Sequence, residues 1–99
     1  MISVRYDRNG VKLWVSGHAG YAEIGQDIVC AAVSALYETL AANMHTFAGH
    51  MGNDNDHFVW AIADIHTMRE VFDAFVVGFK RIAKQYPDHV QFEEICPKA

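Results

Sequence analysis

Two side chains near the start of the chain have the types and surroundings for covalent chemistry. Cys30 follows Asp27 by three residues, and Asp27 stands where a helix N-cap is expected. The thiol then falls in the first helical turn, where unpaired backbone N–H groups and the positive end of the helix dipole favour a thiolate. His18 precedes Cys30 by 12 positions, in a segment punctuated by Gly17, Gly20 and Gly25 that can fold back toward the helix start. A thiolate beside an imidazole attacks a carbonyl carbon, and the imidazole then protonates the leaving amine. The same residues also have plainer readings. A Cys among Ile28, Val29, Ala31 and Ala32 serves as a small core residue, a His at a strand end as a surface residue, and Asp27 as a cap rather than a group orienting His18. Ser34, one turn after Cys30, either faces the same cleft or bonds back to a helix carbonyl.

The elements that must position these residues follow from hydropathy. Ile2, Val4 and Tyr6 alternate with Ser3, Arg5 and Asp7, which predicts a strand over 2–8 and a partner over 11–17 joined by a type I′ turn at Asn9-Gly10. Pairing outward sets Asp7 against Lys12, Tyr6 against Leu13, Arg5 over the indole of Trp14 and Val4 against Val15, so that His18 leaves the end of the second strand. A first helix is expected over 28–45, with Val29, Val33, Leu36 and Leu40 on its buried face, widened by Ile28, Ala32 and Met44. Gly49, Gly52, Asn53 and Asn55 mark a mobile connector over 49–56, and 57–64 reads as a strand covered on both faces. Thr67 to Glu70 fits a capping box, followed by an apolar stripe through Met68, Phe72, Phe75, Val76, Phe79, Ile82, Ala83 and Tyr86 until Pro87 stops the helix. Val90 and Phe92 belong to a last strand. The expectation is a single α+β domain over 1–99, ordered β-β-α-β-α-β, with a mainly antiparallel sheet packed against two helices.

Composition narrows the function classes. The chain of 99 residues is 52% hydrophobic and 20% charged, which suits one soluble domain. Its net charge of −4 lacks the basic excess of a nucleic-acid binder. Cys30 and Cys96 form no Cys-x-x-Cys pair, so neither a disulfide framework nor a zinc ribbon is expected, and a reducing cytoplasm fits. The start of the chain reads as a strand rather than a signal peptide, and no apolar run is long enough to span a membrane. His45, His50, Asp54, Asp56, His57, His66 and Cys96 lack metal-site spacing, and Asp54-Asn55-Asp56 lacks the rest of a calcium loop. No metal or other cofactor is expected.

Gly17-His18-Ala19, followed by Gly25-Gln26-Asp27-Ile28-Val29-Cys30-Ala31-Ala32-Val33-Ser34-Ala35, resembles the ribosomal-processing cysteine protease family of bacteria, including its His-to-Cys spacing. Close similarity runs from Gly17 to Leu36; the rest agrees in element order and in Ile82, Tyr86-Pro87 and Val90. The resemblance implies a homodimeric α+β endopeptidase that removes a short N-terminal extension from large-subunit ribosomal protein twenty-seven. It implies Cys30 as nucleophile and His18 as base. N–H groups at the helix start, that of Cys30 included, are the expected oxyanion donors, and Gly20 and Gly25 the points at which the loop moves to assemble the pair around a peptide.

Two other classes remain open on the residues alone. A thiol at a helix start can act as a redox sensor through a Cys30–Cys96 bond. A non-enzymatic homodimer would use the surplus apolar surface of the two helices.

Overall fold

Alternating apolar and polar residues make β1 (Ile2–Asp7) and β2 (Lys12–Ser16) an antiparallel hairpin. The hairpin belongs to a computed structural model that describes residues 1–23, 27–43, 48–52 and 56–95. Its register is the expected one, with Asp7 opposite Lys12, Tyr6 opposite Leu13, Arg5 opposite Trp14 and Val4 opposite Val15. The turn differs. Pairing stops at Asp7 and Lys12, and the positive φ falls on Val11, at 53°, instead of on Asn9 or Gly10. Asp7 Oδ1 accepts the Gly10 N–H at 3.0 Å, while Val11 is fully buried and its carbonyl accepts the Ala61 N–H at 3.0 Å. Burial of the isopropyl group and that bond hold a backbone conformation a β-branched residue otherwise avoids. A longer connection centred on the same bond leaves the register unchanged.

Asp27 caps α1 (Ile28–Ala42), which ends at Asn43, short of the expected 45; Met44 and His45 lie outside the described residues. Its buried side chains are Val29, Val33, Tyr37, Leu40 and Ala41. Tyr37 rather than Leu36 turns fully inward because its hydroxyl meets the carbonyls of Met51 and Phe58, both at 3.2 Å. Ile28, expected to widen the buried face, is exposed.

Ala48–Gly52, expected as part of a connector, forms β3 and pairs antiparallel with β4 (Asp56–Ala61). Its glycines provide clearance: a Cβ on Gly49 would enter the Trp60 indole, and one on Gly52 the His57 ring. Asn53 and Asn55 lie outside the described residues. β4 ends at Ala61, so Ile62 is exposed beyond it. The second helix, α2 (Ile65–Gln85), starts before the expected capping box, behind Asp64 at φ 50° with no side-chain cap. Ile65, half-buried against the core, gives that extra turn its reason. β5 (Val90–Ile95) closes the described chain.

The sheet order is β3-β4-β2-β1-β5, antiparallel except for the parallel β1–β5 pair. The α+β order β-β-α-β-α-β is present, with β3 added as a hairpin partner of β4. Ile2, Val4, Tyr6, Leu13, Val15, Val59 and Val90 line the buried face, where Phe72, Val76 and Phe79 of α2 join Val29, Val33 and Leu40 of α1. The Tyr6 hydroxyl donates to Asp73 Oδ1 at 2.8 Å, tying β1 to α2; burial and Asp73 push its pKa well above the usual tyrosine value. On the other face the aromatic side chains of β2 and β4 are half-buried. Trp14 stacks on Phe58 at 4.9 Å and Phe58 on Trp60 at 4.8 Å, while Arg5 turns from the indole to Glu93 at 3.7 Å. Among the described residues no helix is long and apolar enough to cross a membrane.

β2 is followed by Gly17, whose φ is 87° and where a Cβ would run into the Met1 carbonyl oxygen. Gly20, at φ 66°, has open space around it. Gly17→Ala should lose about 1–3 kcal/mol of stability from backbone strain, and more from the displaced strand, against about 1 kcal/mol for Gly20→Ala. Urea unfolding of both variants checks this; equal losses would contradict it.

Candidate active site

Asp27 sets the sulfur in place by fixing the helix that carries it. Asp27 Oδ1 accepts the Cys30 N–H at 2.9 Å and the Asp27 carbonyl accepts the Ala31 N–H at 3.1 Å. Oδ2 accepts the N–H groups of Tyr21 at 3.0 Å and Ala22 at 3.4 Å. One carboxylate thus caps α1 and fastens the incoming loop to it. The Cys30 N–H bond is the main reason the Asp27 carboxyl lies below the usual carboxylate range; partial desolvation opposes it, and Tyr21, Ala22 and the Cys30 thiol add to it. The expected role of the Cys30 N–H as an oxyanion donor therefore needs correction, since Asp27 occupies it.

Cys30 is a free, half-buried thiol packed at the edge of the core. Its Sγ accepts the N–H of Ala19 at 3.2 Å. Ala19 is bonded directly to His18, so the His18 Cα lies no more than about 6 Å from the sulfur. The His18 imidazole itself is exposed and, among the described residues, bonds neither to Cys30 nor to Asp27. Backbone and sulfur are brought together; imidazole and sulfur are not. Ser34 is exposed, and Gly25 and Cys96 lie outside the described residues.

A second histidine, just before β5, reaches the same loop. His89 Nδ1 lies 2.9 Å from the Ala19 carbonyl oxygen. Its ring meets the edge of Tyr21 at 5.3 Å, and Tyr21 also packs against Tyr86 at 5.5 Å. Separated from Ala19 by 70 positions, His89 leaves no spacing signal in the sequence; only the parallel β1–β5 pairing brings it there.

Tyr21 and Ile28 are both large and exposed. A separate concavity of about 480 Å³ is lined by Arg5, Trp14, Met51, His57 and Phe58 among others, and includes neither His18 nor Cys30. No three His, Cys, Asp or Glu side chains converge as a metal site among the described residues.

Residues 1–91 match the model of a protein family described as cysteine protease Prp. Comparison with curated proteins gives no match. Among solved structures, SMU.848 from Streptococcus mutans is 27% identical, with 96% of this chain and 94% of that one covered and a TM-score of 0.71. The ribosomal processing protease Prp of S. aureus with a covalently linked product peptide is 19% identical, with coverage of 95% and 97% and a TM-score of 0.77. The same protease with a substrate peptide is 18% identical, with the same coverage and a TM-score of 0.71.

The double duty of Asp27 separates two variants. Asp27→Asn keeps a cap for the Cys30 N–H but loses an acceptor for Tyr21 and Ala22, whereas Asp27→Ala loses both. Melting temperatures at neutral pH should fall in the order wild type, Asn, Ala. Because the folded-state pKa of Asp27 is depressed, its stabilisation is complete above the unfolded value near 3.8 and is lost as pH falls through the folded value. The gap between wild type and Asp27→Asn should therefore close in acid; a gap that widens in acid would contradict the assignment.

Proposed function

The chain belongs to the cysteine protease Prp family, and from that premise we propose that Cys30 and His18 are its catalytic pair. The proposed substrate is a short N-terminal extension of large-subunit ribosomal protein twenty-seven. The enzyme is a cysteine protease, a hydrolase. The observation that carries the residue assignment is the Ala19 N–H on the Cys30 sulfur, which sets the residue after His18 against the nucleophile.

In the proposed reaction a rotation of the His18 side chain brings the imidazole to the thiol, since its backbone is already there. His18 takes the thiol proton, and Sγ attacks the carbonyl carbon of the scissile peptide as the C=O π pair moves to oxygen. The pair returns, the C–N bond breaks, and His18 gives its proton to the leaving amine. Water then attacks the thioester carbonyl, releasing the acid product and restoring the thiol. Ala19 supplies an N–H at the sulfur through these steps, while Asp27 holds the Cys30 N–H. No step calls on a cofactor.

The S. aureus relatives bound to substrate and product peptides support a peptide substrate and a ribosomal role. The net charge of −4 suits a basic ribosomal tail. A cytoplasmic setting and a homodimer belong to the same proposal, and the half-buried Trp14, Phe58 and Trp60 stack is apolar surface that a second copy would bury further.

Incubation with the extended ribosomal protein, followed by mass spectrometry of the new N-terminus, tests the assignment. Cys30→Ala should give no product, and His18→Ala should lower kcat/KM by about 10²–10⁴-fold. Cleavage by either variant at the wild-type rate would reject the proposed pair.

A further inference from the structure

We propose that His89 is a positioning residue that holds the Ala19 amide on the Cys30 sulfur, an inference that rests on the thiol chemistry proposed above. Ala19 donates its N–H to Sγ at 3.2 Å and accepts at its carbonyl from His89 Nδ1 at 2.9 Å. A carbonyl oxygen only accepts, so Nδ1 must carry the proton. Both the imidazolium and the neutral Nδ1–H tautomer satisfy that need, and the hold does not depend on the charge of the ring.

His89 is itself held at its backbone. Its N–H donates to the Tyr86 carbonyl at 3.0 Å, and its carbonyl accepts the Ile2 N–H at 2.8 Å, which anchors it between the end of α2 and the start of β1. The Tyr21 ring, standing at 81° to the imidazole, limits its rotation from the loop side. The Ala19 methyl is buried, and Gly20 turns the chain away immediately after it at φ 66°. Ala19 is therefore fixed by side chain, carbonyl and following turn, and what remains is an N–H aimed at the sulfur. The ordering reaches the nucleophile from the far end of the chain without passing through Asp27.

Two variants separate a donor role from a merely structural one. The side-chain nitrogen of Asn occupies the place of imidazole Nδ1, whereas that of Gln lies at the place of Nε2. Alkylation of Cys30 by iodoacetamide at pH 7 is followed on the Cys30 peptide by mass spectrometry, so that Cys96 does not contribute. His89→Gln should slow alkylation by about tenfold and lower kcat for peptide cleavage with KM little changed, and His89→Asn should recover most of both. Folded His89→Gln that alkylates and cleaves at wild-type rates would overturn the proposal, as would folded His89→Asn impaired to the same degree. Nitrogen-15 NMR of the wild-type imidazole decides the matter if His89→Gln does not fold: protonated Nδ1 is expected, and an Nε2–H tautomer would overturn the proposal. Neither alkylation nor the tautomer requires proteolysis. A wild-type protein that behaves as predicted in both yet cleaves no extended substrate would therefore sink the proposed function and not the role of His89.

Discussion

An amide N–H aimed at a sulfur from 3.2 Å requires that two segments be held in place relative to each other. The sulfur belongs to the first turn of α1, and its position follows from the Asp27 cap and from the burial of Val29 and Val33 on the sheet. The amide belongs to the loop after β2, and its position follows from the turn at Gly17, the burial of Ala19 and the bond to His89. Sheet pairing supplies the common frame. β2 ends where the loop begins, and β5 lies parallel to β1, which puts the residue before β5 beside that loop.

Asp27 joins the two halves. Its two oxygens face opposite ways along the chain, one to the Cys30 N–H and the other to the N–H groups of Tyr21 and Ala22. The arrangement uses up the amide of Cys30, which a bare helix start would leave free. The N–H donor at the sulfur is that of Ala19, outside the helix. His18, bonded to Ala19 on its other side, has its backbone near the sulfur while its imidazole is exposed.

How much of this was legible in the sequence depends on the kind of force involved. The hairpin register was legible because alternation and the Asn9-Gly10 midpoint specify it, whereas the turn geometry was decided by burial of Val11. The stripe of α2 was legible because its apolar spacing is regular, but its start was set by Ile65 packing rather than by Thr67. β3 was hidden because its glycines resemble a loop, although they are there to admit Trp60 and His57. At the site, Cys30, Asp27 and His18 could be named from residue type and spacing. The donor assignments could not: Asp27 taking the Cys30 N–H, Ala19 turning to the sulfur and His89 reaching Ala19 are consequences of tertiary placement.

Family membership gives the chemistry a class, and the geometry sets the Ala19 N–H on the Cys30 sulfur. The most direct measurement is a crystal structure of the protein with a peptide attached covalently through Cys30. The account predicts a ring nitrogen of His18 within hydrogen-bond reach, about 3 Å, of the sulfur or of the departing nitrogen, with Ala19 still held by His89. An imidazole left in solvent, with the Ala19 amide drawn away from the sulfur, would contradict it.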